Sequence, residues 1–181
     1  MGLTENRVDI PSYTFLNEKT VSAESIESLA ETVVKTLSSK GLTIKTSESL
    51  TGGMLASSLI SVSGASKVFL EGFVTYSEES KAHRLGVREE TLRDFGAVSN
   101  QTAYEMAKGT LGNADYSLST TGLAGPNGDG FSDKIGMVFV GLSSKNQTIV
   151  RGFKFSGDRE QIRENSVRVA LSMLLEAIID K

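Results

Sequence analysis

The spacing of apolar residues first predicts a helix that begins after an N-cap at Ser22 and ends at Gly41. Within it, apolar residues recur every three or four positions, at Ile26, Leu29, Val33 and Leu37. This is the period of a helix with one buried face. Segment 42–46 then predicts a strand and segment 53–62 a second helix, so the chain opens in the order helix, strand, helix.

The alternation of strands and helices continues to the end of the chain. Further strands are predicted over 68–76, 114–121, 135–142 and 148–155, a short helix over 89–95, and further helices after caps at Ser77, Ser99 and Asp158. The last two strands are joined by the short segment SSKNQ, which favours a hairpin and therefore an antiparallel pair. Helices alternating with strands and then a hairpin predict an α/β fold, with a mixed sheet covered on both faces.

Length and periodicity indicate one domain preceded by a short arm. A chain of 181 residues, of which 39% are hydrophobic, is the size of a single domain with a substantial core. Residues 1–20 show no clear period, although Tyr13 and Phe15 are suited to contact a surface. We interpret them as an N-terminal arm and residues 21–181 as the domain.

Composition and charge exclude several classes of protein. The 19 basic and 22 acidic residues are interspersed and give a net charge of −3, so nucleic acid is not an expected partner. With no Cys and a single His, His83, the chain lacks thiolate nucleophiles, and no metal site is predicted. It has no apolar run of membrane-spanning length and no secretory signal pattern, so we expect a cytoplasmic protein that does not bind membranes.

The segment TSESLTGG (46–53) is the first candidate for chemistry, because a predicted strand runs into a helix there. Ser49 lies at this turn, and the N–H groups of Thr51, Gly52 and Gly53 are expected to point at an anion or a developing oxyanion. Ser49 is therefore the candidate nucleophile. The alternative is that Ser49 is only a helix N-cap.

A serine hydroxyl needs a base at neutral pH, and a neutral lysine can replace the usual imidazole. Lys81 lies just inside the helix predicted after Ser77, where the helix N-terminus and partial burial both lower the pKa of a lysine. Tyr76, at the end of the preceding strand, is a candidate to relay or orient the proton. The alternatives are that Lys81 is a solvated helix residue and that Tyr76 is an edge aromatic.

A second segment rich in hydroxyls and glycines, STTGLAGPNGDG (119–130), also follows a predicted strand. Its backbone N–H groups and the hydroxyl of Thr120 or Thr121 are candidates to bind phosphate, although it matches neither the P-loop nor the dinucleotide fingerprint. The alternative is an ordinary loop. Arg159 and Arg163 lie one turn apart in the last helix and are either a carboxylate or phosphate site or a solvated basic patch.

Five segments occur in an order that is typical of one family. They are TSESLTGG, GFVTYSEESKAHRLGV (72–87), GAVS (96–99), TGLAGPNG (121–128) and FSGDREQIR (155–163). Together they resemble the CinA C-terminal domain family over residues 26–179, and five ordered motifs are more specific than any one of them. That family includes bacterial nicotinamide-nucleotide amidases.

The resemblance implies a three-layer α/β/α sandwich with a mixed sheet, commonly a homodimer, that needs no metal or cofactor. Its implied reaction converts nicotinamide mononucleotide to nicotinic acid mononucleotide and ammonia. Carried over by motif, Ser49 is the nucleophile, Lys81 the base and Tyr76 a neighbour in the proton network. The substrate-binding set combines the first turn, Thr51, Gly52 and Gly53, with positions implied by the resemblance, Thr121, Gly122, Gly125 and Arg159.

The chain departs from the family pattern in two places. Glu78 stands where the family usually has Asn, and a proline common just before the strand near Ile135 is missing. A carboxylate near Lys81 favours the protonated amine and opposes a base role. The alternative to the amidase is thus a catalytically silent nucleotide-binding or protein-interaction domain of the same fold. A DNA-processing factor, a third reading, is disfavoured by the acidic chain.

Overall fold

A computed structural model describes residues 14–16, 21–126 and 132–179 of the chain. The strands in this part are β1 (Thr14–Leu16), β2 (Ile44–Glu48), β3 (Phe69–Val74), β4 (Tyr116–Gly122), β5 (Met137–Ser144) and β6 (Thr148–Lys154). The helices are α1 (Ile26–Lys40), α2 (Met54–Ile60), α3 (Glu78–Leu85), α4 (Glu89–Phe95), α5 (Asn100–Leu111) and α6 (Arg159–Ile179). Short 3₁₀ turns occupy Ala65–Lys67 and Ser132–Lys134.

The described strands form one mixed sheet in the order β1–β6–β5–β4–β2–β3. Strand β2 pairs in parallel with both β3 and β4, whereas β4, β5 and β6 are successively antiparallel. The predicted mixed sheet and terminal hairpin are confirmed. Because β2, β3 and β4 run in the same direction, the segments that follow them leave the sheet at one edge, with Glu48 beside Val74 and Thr120.

Helices cover both faces of the sheet, as predicted for a three-layer α/β/α sandwich. Helix α6 packs against α1 and α2 on one face, where Leu118 of β4 joins the main core. Side chains alternate along a strand, so Ser117 and Ser119 point to the other face, where their hydroxyls donate to carbonyls of α5. Helices α3 and α4 pack on α5 in this second layer.

Most predicted helix ends are confirmed by their capping geometry. Gly41 ends α1 in the left-handed conformation, with φ of 64°, while Ser77 and Ser99 cap α3 and α5 through their side-chain oxygens. Asp158 and Gln161 cap α6 by exchanging side-chain to backbone hydrogen bonds. The predicted cap of the first helix was wrong, because the side chain that accepts from the helix is Ser25 and not Ser22.

The N-terminal segment differs from the arm predicted over residues 1–20. Residues 14–16 form β1, which extends the sheet by pairing in parallel with β6. Three residues are too short to display the period-two pattern that identifies a strand. Tyr13, with the rest of residues 1–13 and 17–20, lies outside the described residues, as do residues 127–131 of the second glycine-rich segment.

Candidate active site

Ser49 begins the turn that joins β2 to α2, at the sheet edge where the parallel strands end. Its amide donates to the carbonyl of Thr120 at 2.9 Å, so the turn is attached to the end of β4. Gly52 and Gly53 follow with φ of 59° and 97°, a backbone region that favours glycine. The glycines of the TSESLTGG segment thus let the chain reverse directly after Ser49, which is 8% exposed.

Lys81 reaches Ser49 from the first turns of α3. Its Nζ lies 3.0 Å from Ser49 Oγ and also donates to the carbonyls of Thr75 at 2.8 Å and Tyr76 at 3.2 Å. The side chain is completely buried. The structure therefore brings together the two groups that the sequence singled out as nucleophile and base, although 32 positions separate them in the chain.

Burial lowers the pKa of Lys81 from its ordinary value of 10.5 to about 8, since the interior disfavours the ammonium form. The carboxylate of Glu78, three residues earlier, acts in the opposite direction and raises that pKa. At pH 7 roughly a tenth of the lysine is therefore in the neutral form that can accept a proton. His83 is exposed on the same helix, so no imidazole takes part in this contact.

Tyr76 contributes a different group from the one predicted. Its side chain is 66% exposed, while its backbone carbonyl accepts a hydrogen bond from Lys81. The predicted relay through the phenol is thus not seen. Tyr76 holds the lysine through its main chain, which any residue type could do at this position.

The N-terminus of α2 is occupied by a carboxylate of the chain itself. Glu48 Oε2 accepts from the amides of Gly53 at 2.9 Å and Leu55 at 3.0 Å, and Oε1 accepts from Ala56 at 2.8 Å. The amide of Gly52 donates to the carbonyl of Ser49. Gly52 and Gly53 were therefore wrongly predicted as anion donors, because intramolecular acceptors already bind their N–H groups.

Two amides of the turn remain directed at no acceptor within residues 21–126, those of Leu50 and Thr51. They are the amides of the turn that are left for an oxyanion formed next to Ser49, and the amide after a nucleophilic serine commonly has this role. The hydroxyl of Thr51 is not free for substrate, because it is buried and shares a 2.7 Å hydrogen bond with Thr120. Any contribution of Thr51 to binding is therefore left to its backbone.

In the described part of the second glycine-rich segment, the side chains and glycines make contacts that stabilise the fold. Thr121 is buried and its hydroxyl donates to the carbonyl of Ala97 at 2.6 Å, which ties β4 to the segment before α5. A Cβ on Gly122 would lie 2.7 Å from the carbonyl oxygen of Met137, so only glycine fits there. Gly125 is buried and presents its carbonyl to Arg159. These contacts leave the Thr121 hydroxyl no role in binding substrate.

Two arginines of α6 reach the same sheet edge. Arg159 Nη1 donates to the Gly125 carbonyl at 2.7 Å, and Arg163 donates from Nε to Leu50 and from Nη2 to Thr51, at 3.0 and 2.9 Å. Within the described ranges neither guanidinium forms an ion pair with a carboxylate. Each keeps further N–H donors, and no carboxylate of the described residues pairs with its positive charge beside the two loops of the site.

The described residues contain no group of three or more acidic or histidine side chains spaced to hold a metal ion. Their helices also include none with the length and apolar character needed to cross a bilayer.

Comparison with known proteins identifies the family of this fold and site. The model of the CinA C-terminal domain matches residues 26–178. The chain belongs to this family. A putative competence-damage inducible protein of Caldicellulosiruptor saccharolyticus is 46% identical over 156 residues, and a CinA-like protein of Kosmotoga olearia is 47% identical over 155. These matches cover 85% and 84% of the chain but 38% of each relative, so the chain spans less than two fifths of their length.

Solved structures of the CinA superfamily share the fold. The competence/damage inducible protein CihA of Agrobacterium tumefaciens is 37% identical with a TM-score of 0.82, and the match covers 88% of this chain and 99% of that one. A CinA superfamily protein of Klebsiella pneumoniae is 32% identical with a TM-score of 0.82, covering 87% and 100%. The resemblance predicted from the five motifs is confirmed.

Proposed function

We propose that this protein is an amidase that converts nicotinamide mononucleotide to nicotinic acid mononucleotide and ammonia, with Ser49 as nucleophile and Lys81 as base. The observation that carries the proposal is the 3.0 Å contact between Ser49 Oγ and a completely buried Lys81 Nζ. An amine that is buried and close to a hydroxyl is suited to remove its proton near neutral pH. An amide carbon is an appropriate target for the resulting alkoxide.

The proposed reaction runs in two halves. Neutral Lys81 takes the Ser49 proton as Oγ bonds to the carboxamide carbon, and the negative charge on the carboxamide oxygen is stabilised by the free amides of Leu50 and Thr51. The protonated lysine then gives its proton to the carboxamide nitrogen as the C–N bond breaks, so ammonia leaves and the acyl group remains on Ser49 Oγ. Water, deprotonated by the same lysine, attacks this ester and restores Ser49 with release of the carboxylic acid.

The nucleotide phosphate needs a cationic partner outside the α2 N-terminus, because Glu48 occupies that position. Arg159 and Arg163 meet the requirement, since neither pairs with a carboxylate of the described residues. Arg163 contacts the turn that contains Ser49, and Arg159 contacts the segment after β4. A guanidinium can bind a phosphate through two parallel hydrogen bonds. We therefore assign the phosphate end of the substrate to this pair.

Incubation of the purified protein with nicotinamide mononucleotide tests the proposal, with ammonia and the acid product measured together. We expect hydrolysis by the wild type and its loss in Ser49→Ala and in Lys81→Ala. Matched controls are Ser57→Ala, an exposed serine of α2, and Lys35→Ala, an exposed lysine of α1. Hydrolysis that survives in Ser49→Ala refutes the assignment of the site.

A catalytically silent nucleotide-binding domain is the competing function, and Glu78 is the feature that favours it, since its carboxylate raises the pKa of Lys81. Binding of nicotinamide mononucleotide by the wild type, measured by calorimetry without any ammonia release, would establish this alternative.

A further inference from the structure

Glu48 is a buried carboxylate that the proposed chemistry does not use. It is the last residue of β2, it is completely buried, and its two oxygens accept from three amides at the start of α2. Within the described residues no lysine or arginine pairs with it. Its charge is instead balanced by charge-assisted hydrogen bonds and by the positive end of the helix. A buried charge held this way costs desolvation, so a specific role is expected of it.

The backbone of Glu48 reaches the second half of the site. Its carbonyl accepts from the amide of Thr75 at 2.9 Å, and the carbonyl of Thr75 in turn accepts from Lys81 Nζ at 2.8 Å. The side chain holds the turn that begins with Ser49, and the main chain holds the segment that receives Lys81. One residue is thus connected to both members of the Ser49–Lys81 pair.

We propose that Glu48 is a positioning residue that sets the distance and orientation between Ser49 and Lys81, a role that rests on the proposed amidase function. The hydrogen bonds of Glu48 go to backbone amides and not to Ser49 Oγ or Lys81 Nζ, so it acts through its neighbours. Glutamine has the same shape, but its NH₂ group cannot accept from an amide. At least one of the three hydrogen bonds is therefore lost, and two N–H donors face each other in its place. The start of α2, and the turn before it, then loses its fixed geometry.

The test compares the steady-state kinetics of the wild type with those of Glu48→Gln and Glu48→Asp. A small displacement of a nucleophile slows the chemical step much more than it weakens binding, so we expect kcat to fall about 10- to 100-fold in Glu48→Gln. The KM should stay within about threefold, because Arg159, one of the two arginines assigned to the phosphate, contacts Gly125 and not the turn that Glu48 holds. Glu48→Asp keeps the charge on a shorter side chain and should recover part of kcat. If Glu48→Gln does not fold, Glu48→Asp takes its place in the comparison with the wild type.

Glu105→Gln is the matched control for a structural carboxylate. Glu105 is also largely buried, and its oxygens accept from Arg88 N, Arg88 Nε and Thr91 Oγ1 in the layer formed by α4 and α5. It has no connection to Ser49 or Lys81. We expect this variant to lose stability comparably while its kcat, measured where all variants are folded, stays at the wild-type value.

A second readout does not depend on the substrate. A fluorophosphonate reacts with an activated serine, whose Oγ bonds to phosphorus as fluoride leaves, and intact mass reports the rate at Ser49. If the wild type is labelled but does not hydrolyse nicotinamide mononucleotide, and Glu48→Gln is labelled at least 10-fold more slowly, the substrate proposal fails and the positioning role stands. Equal rates in Glu48→Gln and wild type, or equal losses in Glu48→Gln and Glu105→Gln, overturn the positioning role. A wild type that is neither labelled nor active overturns both proposals.

Discussion

Two segments lie at the same edge of the sheet, the turn after β2 and the end of β4 with the turn that follows it, and both combine hydroxyls with glycines. In the first, Ser49 Oγ lies 3.0 Å from a buried amine. In the second, Thr121 Oγ1 donates to the carbonyl of Ala97 at 2.6 Å. A hydroxyl whose proton is given to a backbone carbonyl holds the fold together, whereas a hydroxyl beside a neutral amine can be deprotonated. The hydrogen-bond partner therefore separates the candidate reactive turn from the structural one.

Removing each of the two hydroxyls in turn should give the largest difference in activity. We expect Ser49→Ala to lower kcat/KM for nicotinamide mononucleotide by more than about a thousandfold without loss of fold, because no other group can form the acyl intermediate. Thr121→Val should keep kcat and lower the free energy of unfolding by about 1 to 2 kcal/mol, because a carbonyl loses its donor. Ammonia release and urea unfolding measure both. Similar activity losses in the two variants would remove the distinction between the turns.

Gly122, the last residue of β4, should be needed for stability alone. In Gly122→Ala the added Cβ meets the Met137 carbonyl at 2.7 Å and a Val138 methyl at 2.9 Å, so we expect a loss of about 2 to 3 kcal/mol. Gly64→Ala is the control, since its Cβ meets nothing within 4 Å and only its left-handed backbone, with φ of 89°, costs about 1 kcal/mol. Chemical denaturation measures both. Equal losses would show that the close approach of β5 is not what requires glycine.

Lys81, the buried lysine of α3 that contacts Ser49, should make stability depend on pH. The folded-state pKa of Lys81 is about 8 and the ordinary value is 10.5, so between these limits the unfolded chain binds more protons than the folded one. Stability of the wild type relative to Lys81→Met should thus rise from pH 8 to pH 10.5, by at most about 3 kcal/mol. Urea unfolding at several pH values measures the difference. A flat difference would mean that the Lys81 amine is not desolvated.

The smallest effect is expected from Glu78, which opposes the reactive state of Lys81. The kcat/KM of the wild type should rise with pH as Lys81 loses its proton, with a midpoint near its pKa of about 8. In Glu78→Gln the pKa of Lys81 is lower, so kcat/KM at pH 7 should increase by about twofold, the scale of one exposed charge pair on a helix. Glu79→Gln, at the next position of α3, is the control. If the midpoint of the pH profile is the same in Glu78→Gln and in the wild type, Glu78 does not affect the pKa of Lys81.

Motif reasoning found Ser49 and Lys81 and missed Glu48, although all three lie in recognised segments. The helix caps at Ser77 and Ser99, the left-handed Gly41 and the β5–β6 hairpin also follow from local pattern, because each depends on residues only a few positions apart. The signal for Glu48 was available in principle. A carboxylate at the end of a buried strand and five residues before a glycine is a candidate acceptor for the free amides of the next helix.

The functions of Tyr76, Thr121 and Gly53 could not be read from their residue types. Tyr76 acts through its carbonyl, Thr121 donates to Ala97 across 24 positions of sequence, and the Gly53 amide is bound by Glu48. Each of these roles depends on which hydrogen-bond partner the folded chain brings nearest. A list of hydroxyls and glycines carries no information about that choice.

By itself, the sequence of this protein determined the order of the elements from α1 onward, its family and the two candidate reactive groups, since periodicity, capping and motif order are local properties of the chain. Only the tertiary structure decided that Lys81 Nζ meets Ser49 Oγ, and that a buried carboxylate and not a ligand occupies the start of α2. The reason is geometric. Parallel strands end at a common edge of the sheet, and the contacts made there join segments that are distant in the chain, so distances between them and their shared burial exist only once the strands have paired.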